Sequence, residues 1–445
     1  MLLPSEAIHA REDSMQKYGF TISALVGLVA LTGCSGTEDP GRTTNEATGP
    51  TYYKDIAPLV NAECASCHQE GAIGGFSLTD ADVAAEMAPA MAAAVAARTM
   101  PPMPVNNDGS CNTFKNARWL SDEQIALFES WSRAGAPLGD PADAPPPPAH
   151  EVPTLSGDIV EFDIGVDYTP KPADDKPDDY RCFIIDPGID ADAFMTGYDI
   201  QPGDRKVVHH VVLFSLADAN AEADAAAMDA AEDGPGYTCF GGSGVKGSSI
   251  IAAWAPGSGA TFLPEGTGIR YGAGRKLVLQ MHYNVPAMGG PFTDRSKVKL
   301  ALAKDPALTP AFLVPTGAFE LSLPPGQERT EAKGELPLSW VAQQFNLPSF
   351  NGLRVFGALP HMHMAGRTLR SVAKSPSGEQ CITDVDRWDF HWQDLWWNET
   401  PLEVSADSSI GITCAYDTRG RTETTVFGEG TGDEMCINML YATVY

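Results

Sequence analysis

Cys64-Ala-Ser-Cys67-His68 sets two thiols and an imidazole within five residues. Thiols at that spacing add across the vinyl groups of a haem, and an adjacent histidine reaches the iron from the same turn. The segment therefore reads as an attachment site for one covalent haem c held by Cys64, Cys67 and His68. A redox dithiol or half of a zinc site also uses Cys-x-x-Cys, but the following histidine favours haem. Thr99-Met100-Pro101-Pro102-Met103 offers two thioethers for the sixth position, and Met100 is the expected ligand with Met103 in reserve. A Met/His iron has both axial positions filled, which suits electron transfer better than substrate binding. A methionine in a Pro-rich loop also serves as plain packing, and that use stays open.

Five histidines, His209, His210, His282, His361 and His363, stand on strand-like segments further along. Residues two apart on a strand face the same way, so His361-Met362-His363 can place both imidazoles on one ion. His209 and His210 are neighbours and would point oppositely on a regular strand. They share an ion only near a strand end or a bulge; otherwise one is core and the other surface. His282 shares its face with Gln280 and Asn284, opposite Leu279, Met281, Tyr283 and Val285, and so looks toward a polar cleft. Each histidine taken alone is more often structural than ligating.

The elements that must hold these residues divide the chain. At 445 residues it exceeds what one core usually organises. Lys and Arg total 30 against 58 Asp and Glu, a formal charge of -28, and this acidity excludes nucleic acid as a partner class. The first 14 residues are polar, and Met15-Gln-Lys17 then opens onto the apolar run Phe20 to Leu31 and Thr32-Gly33-Cys34. This resembles a bacterial lipoprotein signal, with Met15 as the start, residues 1–34 as the signal segment and lipid attachment at Cys34. The run is too short to span a bilayer. The pattern implies a chain anchored in the bacterial cell envelope, facing periplasm or exterior. An ordinary hydrophobic helix with an incidental cysteine is the competing reading.

Residues 35–50 form a flexible tether, and 51–138 are Ala-rich with helical periodicity, a small all-α domain of cytochrome c type. Its last helix opens at Ser121-Asp-Glu-Gln124, where Ser and Gln can cap each other's backbone amides, and Ile125, Phe128 and Trp131 form one apolar face. Residues 139–155 hold Pro145-Pro-Pro-Pro148, a stiff linker. Beyond it, short Val/Ile/Leu/Phe runs punctuated by Gly and Pro predict all-β structure. Nearly 300 residues suggest two sandwiches of jelly-roll type, 156–303 and 304–445, with an Ala/Asp-rich helix or loop insert at 217–231. Nine cysteines leave six, Cys111, Cys182, Cys239, Cys381, Cys414 and Cys436, after Cys34, Cys64 and Cys67 are set aside. Six in an exported chain predict disulfides, and the sequence leaves their pairing open.

The ordered series Val208-His209-His210-Val211, Leu279-Gln-Met-His282-Tyr-Asn284, His361-Met-His363-Met-Ala-Gly366-Arg367 and Asp433-Glu-Met435-Cys436 resembles the copper type II ascorbate-dependent monooxygenases, over roughly residues 156 to 445. The resemblance implies two copper ions. An electron-transfer copper would use His209, His210 and His282, and an oxygen-binding copper His361, His363 and Met435. A thioether beside two imidazoles favours Cu(I), whereas zinc has little use for methionine. The resemblance also implies the pairs Cys414 with Cys436 and Cys182 with Cys239, leaving Cys111 and Cys381 unassigned. The peptide-hydroxylating branch holds a carboxylate with an arginine and a tyrosine where Leu359 and Met439 stand here, which argues against a peptidylglycine substrate.

Trp388, Phe390, His391, Trp392, Trp396 and Trp397 could line a pocket, lie between redox centres or simply fill a core, and Glu434 and Tyr283 could tune the metals. His150 and His9 carry no signal. The expected function is a monooxygenase that hydroxylates a C–H bond of a small organic substrate with O2. Its electrons would come through the haem from a periplasmic or small-molecule reductant. The rival is a non-catalytic haem and copper electron-transfer or copper-binding lipoprotein.

Overall fold

The computed structural model describes residues 49–445 apart from 71–73, 116, 147–153, 173–176, 241, 255–257, 286–289, 346, 348, 391, 429 and 431. The signal segment with Met15 and Cys34, the tether up to residue 48, His9, His150 and His391 lie outside the described residues.

The chain begins as helix. Tyr52–Ile56, Ala57–Leu59 and Val60–Cys64 run on from one another, the first and last wound with the wider π spacing, and Ala81–Ala96 and Asp122–Arg133 pack against them. Tyr52, Ile56, Val60, Ala84, Ala88, Met91, Phe128 and Trp131 form their common core. The last helix starts where the sequence says it should. Ser121 Oγ accepts from the Gln124 amide while Gln124 Oε1 accepts from the Ser121 amide, so two amides that the helix cannot satisfy internally are bonded.

From residue 158 onward the structure is β-rich, as alternating apolar residues and frequent Gly and Pro require. A sheet of five strands runs Tyr237–Thr238, Asp178–Ile185, Leu277–Asn284, Val208–Leu216 and Ser248–Trp254 in spatial order. A sheet of four strands runs Thr330–Pro337, Ser409–Tyr416, Gly366–Ser375 and Gly378–Val385. Both face one long sheet that passes through the two halves. Its first part is Asp158–Asp163, Lys297–Ala303, Ala193–Gln201 and Thr267–Tyr271, and its second is Thr309–Gly317, Ile437–Val444, Gly352–His361 and Trp396–Ser405. The joint is a short parallel pairing of Thr309–Ala311 with Thr267–Ile269. The two sandwiches are thus not separate beads: Ala311 and Tyr441 of the second half complete the core of the first. The insert predicted at 217–231 is a helix, Ala219–Ala230, capped by the Asp218 carboxylate.

Three disulfides close the β half. Cys182 pairs with Cys239, Cys414 with Cys436, and Cys111 with Cys381 across 270 residues of sequence. The last fastens the segment between helices Ala81–Ala96 and Asp122–Arg133 to strand Gly378–Val385. Cross-linking so long a loop restricts the unfolded chain, so Cys111→Ala/Cys381→Ala should lose about 2–4 kcal/mol of stability. Denaturant unfolding of the variant checks this, and an unchanged midpoint would show that the bond carries no weight.

Candidate metal centre

His209 and His210 share one side of their strand because the strand is irregular there. Val208 pairs with Tyr283 and His210 with His282, so His209 is the extra residue of a bulge. The bulge turns its ring toward His282, and the nitrogens offered by His209, His210 and His282 all lie within 4.8 Å of one another. His209 Nδ1 and His282 Nδ1 are 3.1 Å apart. His282 Nε2 donates to Asp178 Oδ1 at 2.9 Å, and Asn284 Nδ2 donates to the same oxygen at 3.0 Å. Asp178 therefore fixes the tautomer that leaves His282 Nδ1 facing its partners. Tyr180 stacks on the His282 ring at 4.2 Å.

The second set forms where strand Gly352–His361 ends. His361 is its last residue and His363 stands in the turn beyond it, yet their rings lie 5.2 Å apart. Met362 between them is fully buried on the opposite side, which anchors the turn. His361 Nδ1 donates to Gln393 Oε1 at 2.5 Å and His363 Nδ1 to the Asp433 carbonyl at 3.1 Å, so Nε2 is the nitrogen left to each ring for a ligand. Glu434 accepts the His363 and Ala365 amides at 2.9 and 2.6 Å and pins the turn. Burial pushes its carboxyl up to about 7, against the pull of those two bonds. Met435 lines the same cavity as His361 and His363. Its carbonyl accepts from the Tyr416 hydroxyl, and its neighbour Cys436 is bonded to Cys414.

Gly366 is needed for closeness. A Cβ there would lie 2.8 Å from both Met362 Cβ and Trp388 Cδ1, and the Trp388 indole N–H in that position donates to the His363 carbonyl. Gly366→Ala should therefore cost about 1–3 kcal/mol and displace the turn that carries His363. Calorimetry with a copper count on the folded variant checks it, and a variant as stable and as copper-rich as wild type would contradict it.

The two sets meet directly, His210 against His361, and His210, His282, His361, His363 and Met435 line a cavity of about 400 Å³ between the halves. His210 and His361 rings are 5.4 Å apart, and Phe390 packs against His209, His210 and His363 at 5.0, 6.0 and 6.1 Å. Burial pushes His210, His361 and His363 below the usual imidazole range, His363 to about 3, which keeps the rings neutral and able to bind a metal. His210 Nε2 is buried without a hydrogen-bond partner. Neutral imidazole nitrogens, one of them buried without a partner, and a soft thioether fit copper.

Tyr283, considered as a tuning residue, turns the other way and donates to Asp294 in the first core. Asp178 and Gln393 were not legible as site residues, whereas Phe390, one of the aromatic residues that could line a pocket, packs against the histidines. Asp178 gains its role from pairing with Asn284 across two strands, and Phe390 and Gln393 sit in a loop brought in from the second half.

At the N-terminal side, Cys67 and His68 amides donate to the Cys64 carbonyl, closing one turn that carries both thiols and the imidazole. Among the described residues Cys64 and Cys67 are the free cysteines, and His68 Nδ1 is buried without a partner. A side chain at Gly74 would collide with His68 Nδ1, and Phe76 lies 4.5 Å from the His68 ring. These features fit a covalent haem. Met103 is 3% exposed and belongs to the core beneath Met362, whereas Met100 is 38% exposed.

Residues 162–289 match the family described as copper type II ascorbate-dependent monooxygenase, N-terminal domain, and residues 313–444 match its C-terminal domain. Cys64 to His68 lies outside both. The chain is 30% identical over 251 residues to tyramine beta-hydroxylase of Caenorhabditis briggsae, covering 54% of this chain and 40% of that protein. It is 26% identical over 199 residues to dopamine beta-hydroxylase of Rattus norvegicus, covering 43% and 32%. Against peptidyl-glycine alpha-amidating monooxygenase A of Xenopus laevis it is 26% identical over 283 residues, covering 59% and 26%. The chain thus spans no more than 40% of the length of these relatives. With both domains matched in order, over the residues that build the two histidine sets, this chain belongs to the copper type II ascorbate-dependent monooxygenase family.

Proposed function

We propose that this protein is a copper-dependent monooxygenase that hydroxylates a C–H bond of a small organic substrate, with electrons supplied through a haem on Cys64, Cys67 and His68. One observation carries the reading: His210 and His282 of one set and His361, His363 and Met435 of the other line a single cavity large enough for a small molecule. A relay without substrate has no use for such a space. Bound copper would supply two electrons, one at a time, to dioxygen, so that one oxygen atom enters the C–H bond and the other, taking up two protons, leaves as water.

The chain's own residues do the positioning. Asp178, Gln393 and the Asp433 carbonyl each hold one ring nitrogen of His282, His361 and His363 and so aim the opposite one. Glu434 and the Cys414–Cys436 bond hold the turn and Met435 on the cavity wall. Among the described lining residues none is Lys or Arg, and Leu359, Met439, Phe319, Phe427 and Trp254 present apolar surface. Such a wall offers no cationic side chain to a substrate carboxylate and favours an apolar body. The supporting test is a screen of apolar small molecules with the copper-loaded, reduced protein under 18O2. The reading expects one labelled oxygen atom in the product per dioxygen consumed; oxygen uptake without labelled product would defeat it.

Met100 is the proposed sixth haem ligand, since Met103 is committed to the sandwich core. The same reading places the protein in the cell envelope through lipid on Cys34, and three disulfides accord with an oxidising compartment. Cys34→Ala should move the protein from the membrane to the soluble fraction; continued sedimentation with membranes would contradict the anchor.

A further inference from the structure

The segment between helices Ala81–Ala96 and Asp122–Arg133 is fastened to the half that carries His361, His363 and Met435. Val105 bridges to Val385, the Asn106 amide and side chain donate to the Asp384 carbonyl and carboxylate, and Cys111 is bonded to Cys381. Asn112 Nδ2 donates to Asn398 Oδ1, and the Lys115 amide donates to the Trp397 carbonyl. Soon afterwards the chain enters the helix capped by Ser121, so Arg118 and Trp119 are held at the seam between helices and sheets. Three arginines gather there. Arg98 lies 4.3 Å and Arg387 5.4 Å from the centre of the Trp119 ring, and Arg98, Arg118 and Trp119 line one small cavity with Met100 and Met103.

Two of the three have acidic partners. Arg98 pairs with Asp122 at 2.6 Å and donates to the Leu120 carbonyl, and Arg387 pairs with Asp386 at 2.7 Å. Arg118 is different. Its hydrogen bond among the described residues is a long one, Nη2 to the Pro102 carbonyl at 3.4 Å, its Nε is buried without an acceptor, and among the described residues it forms no ion pair. The chain has 58 acidic residues against 30 basic ones, so a half-buried guanidinium left without a carboxylate calls for an anion that the polypeptide does not supply. Its position indicates which. The Pro102 carbonyl belongs to the loop that offers Met100, and Arg118 also draws down the carboxyl of Glu63, which burial pushes up and which directly precedes Cys64. Arg118 thus borders both the turn that carries the thiols and the loop that carries the thioether, the two segments between which a haem on Cys64 and Cys67 would lie. It likewise draws down the Asp394 carboxyl, raised by burial, on the wall of the metal-centre cavity. A haem brings two propionate carboxylates, and the planar fork of an arginine matches a carboxylate with two parallel hydrogen bonds.

We propose that Arg118 is the charge partner of a haem propionate and that it sets the reduction potential of the haem from the seam with the copper half. The assignment rests on the haem reading above and adds a binding residue outside the Cys64 to His68 turn and the Met100 loop. The guanidinium and the propionate offset one another, so neither is left as a lone charge away from water. A fixed positive charge near the iron favours the ferrous state, which carries one positive charge fewer than the ferric, and Arg118 therefore raises the potential.

The test uses the full protein carrying haem and copper. Wild type, Arg118→Gln and Arg118→Lys are titrated spectroelectrochemically at the ferrous α-band, and the propionate bending band is read in the resonance Raman spectrum of the same samples. Arg118→Gln should shift the ferric–ferrous equilibrium toward ferric by about tenfold, a fall of about 59 mV for a one-electron couple, and should move the propionate band. Arg118→Lys keeps the charge and loses the fork, so it should recover most of the potential while its propionate band still differs from wild type. An unmoved propionate band in Arg118→Gln would overturn the partnership, and a wild-type potential in that variant would overturn its part in setting the potential. Where Arg118→Gln does not fold, Arg118→Lys decides: a moved band supports the partnership and an unmoved one overturns it. A wild-type preparation that binds copper but shows no covalent α-band would instead overturn the haem reading, and the assignment with it.

Discussion

His363→Ala is expected to lower substrate-dependent oxygen uptake by at least about 10³-fold, roughly 4 kcal/mol of lost barrier reduction. The side chain serves the metal while the fold depends on its backbone. Glu434 holds the His363 and Ala365 amides, and Trp388 holds the His363 carbonyl, and all three bonds survive truncation at Cβ. The variant should therefore fold and keep copper at the three-histidine set while losing the other. Oxygen-electrode rates paired with copper counts on the same sample check this. Near wild-type turnover in a variant with one copper fewer would contradict the assignment of that set to the chemistry.

Asp178→Ala is the second large effect, and it lies one bond away from any ligand. Asp178 accepts from His282 Nε2 and from Asn284 Nδ2, so it both selects the tautomer and fixes the ring plane. Without it, His282 is free to carry its proton on Nδ1, the atom facing His209. Copper affinity at the three-histidine set should drop by about 10–100-fold, the usual cost of losing such a partner. Asp178→Asn retains an acceptor oxygen and should fall between the variant and wild type. Competition titration of Cu(I) against a chelator measures both. Equal affinity in Asp178→Ala would show that the hydrogen bond does not orient the ligand.

How far the sequence carried these residues follows from the range of the interactions involved. The Cys64 to His68 turn and the Ser121 to Gln124 cap are local, and their spacing alone describes their geometry. His209 and His210 were legible as a conditional statement, ligands of one ion only if a bulge intervened, and the strand pairing supplies that bulge. His361 and His363 were read as strand neighbours, whereas the strand ends between them and a buried Met362 and Glu434 do the positioning. Asp178, Phe390 and Gln393 reach the site through contacts 32 to 104 residues away in sequence or across the two halves, which no spacing rule encodes. The Cys111–Cys381 bond is of the same kind, and with six cysteines its partners follow only once the segment between helices Ala81–Ala96 and Asp122–Arg133 is laid against strand Gly378–Val385. The joint between halves likewise rests on a three-residue parallel pairing that carries no sequence signature.

The most direct test of the account is X-ray absorption at the copper edge of the Cu(I)-loaded protein, with copper counted on the same sample. The account predicts two coppers per chain, one with nitrogen ligands alone and one with a sulfur neighbour that Met435→Ala abolishes. It also predicts that His209→Ala/His282→Ala removes one copper and leaves the sulfur-bearing one. A chain that binds no copper after reconstitution, or copper whose surroundings are the same with and without Met435, would contradict it.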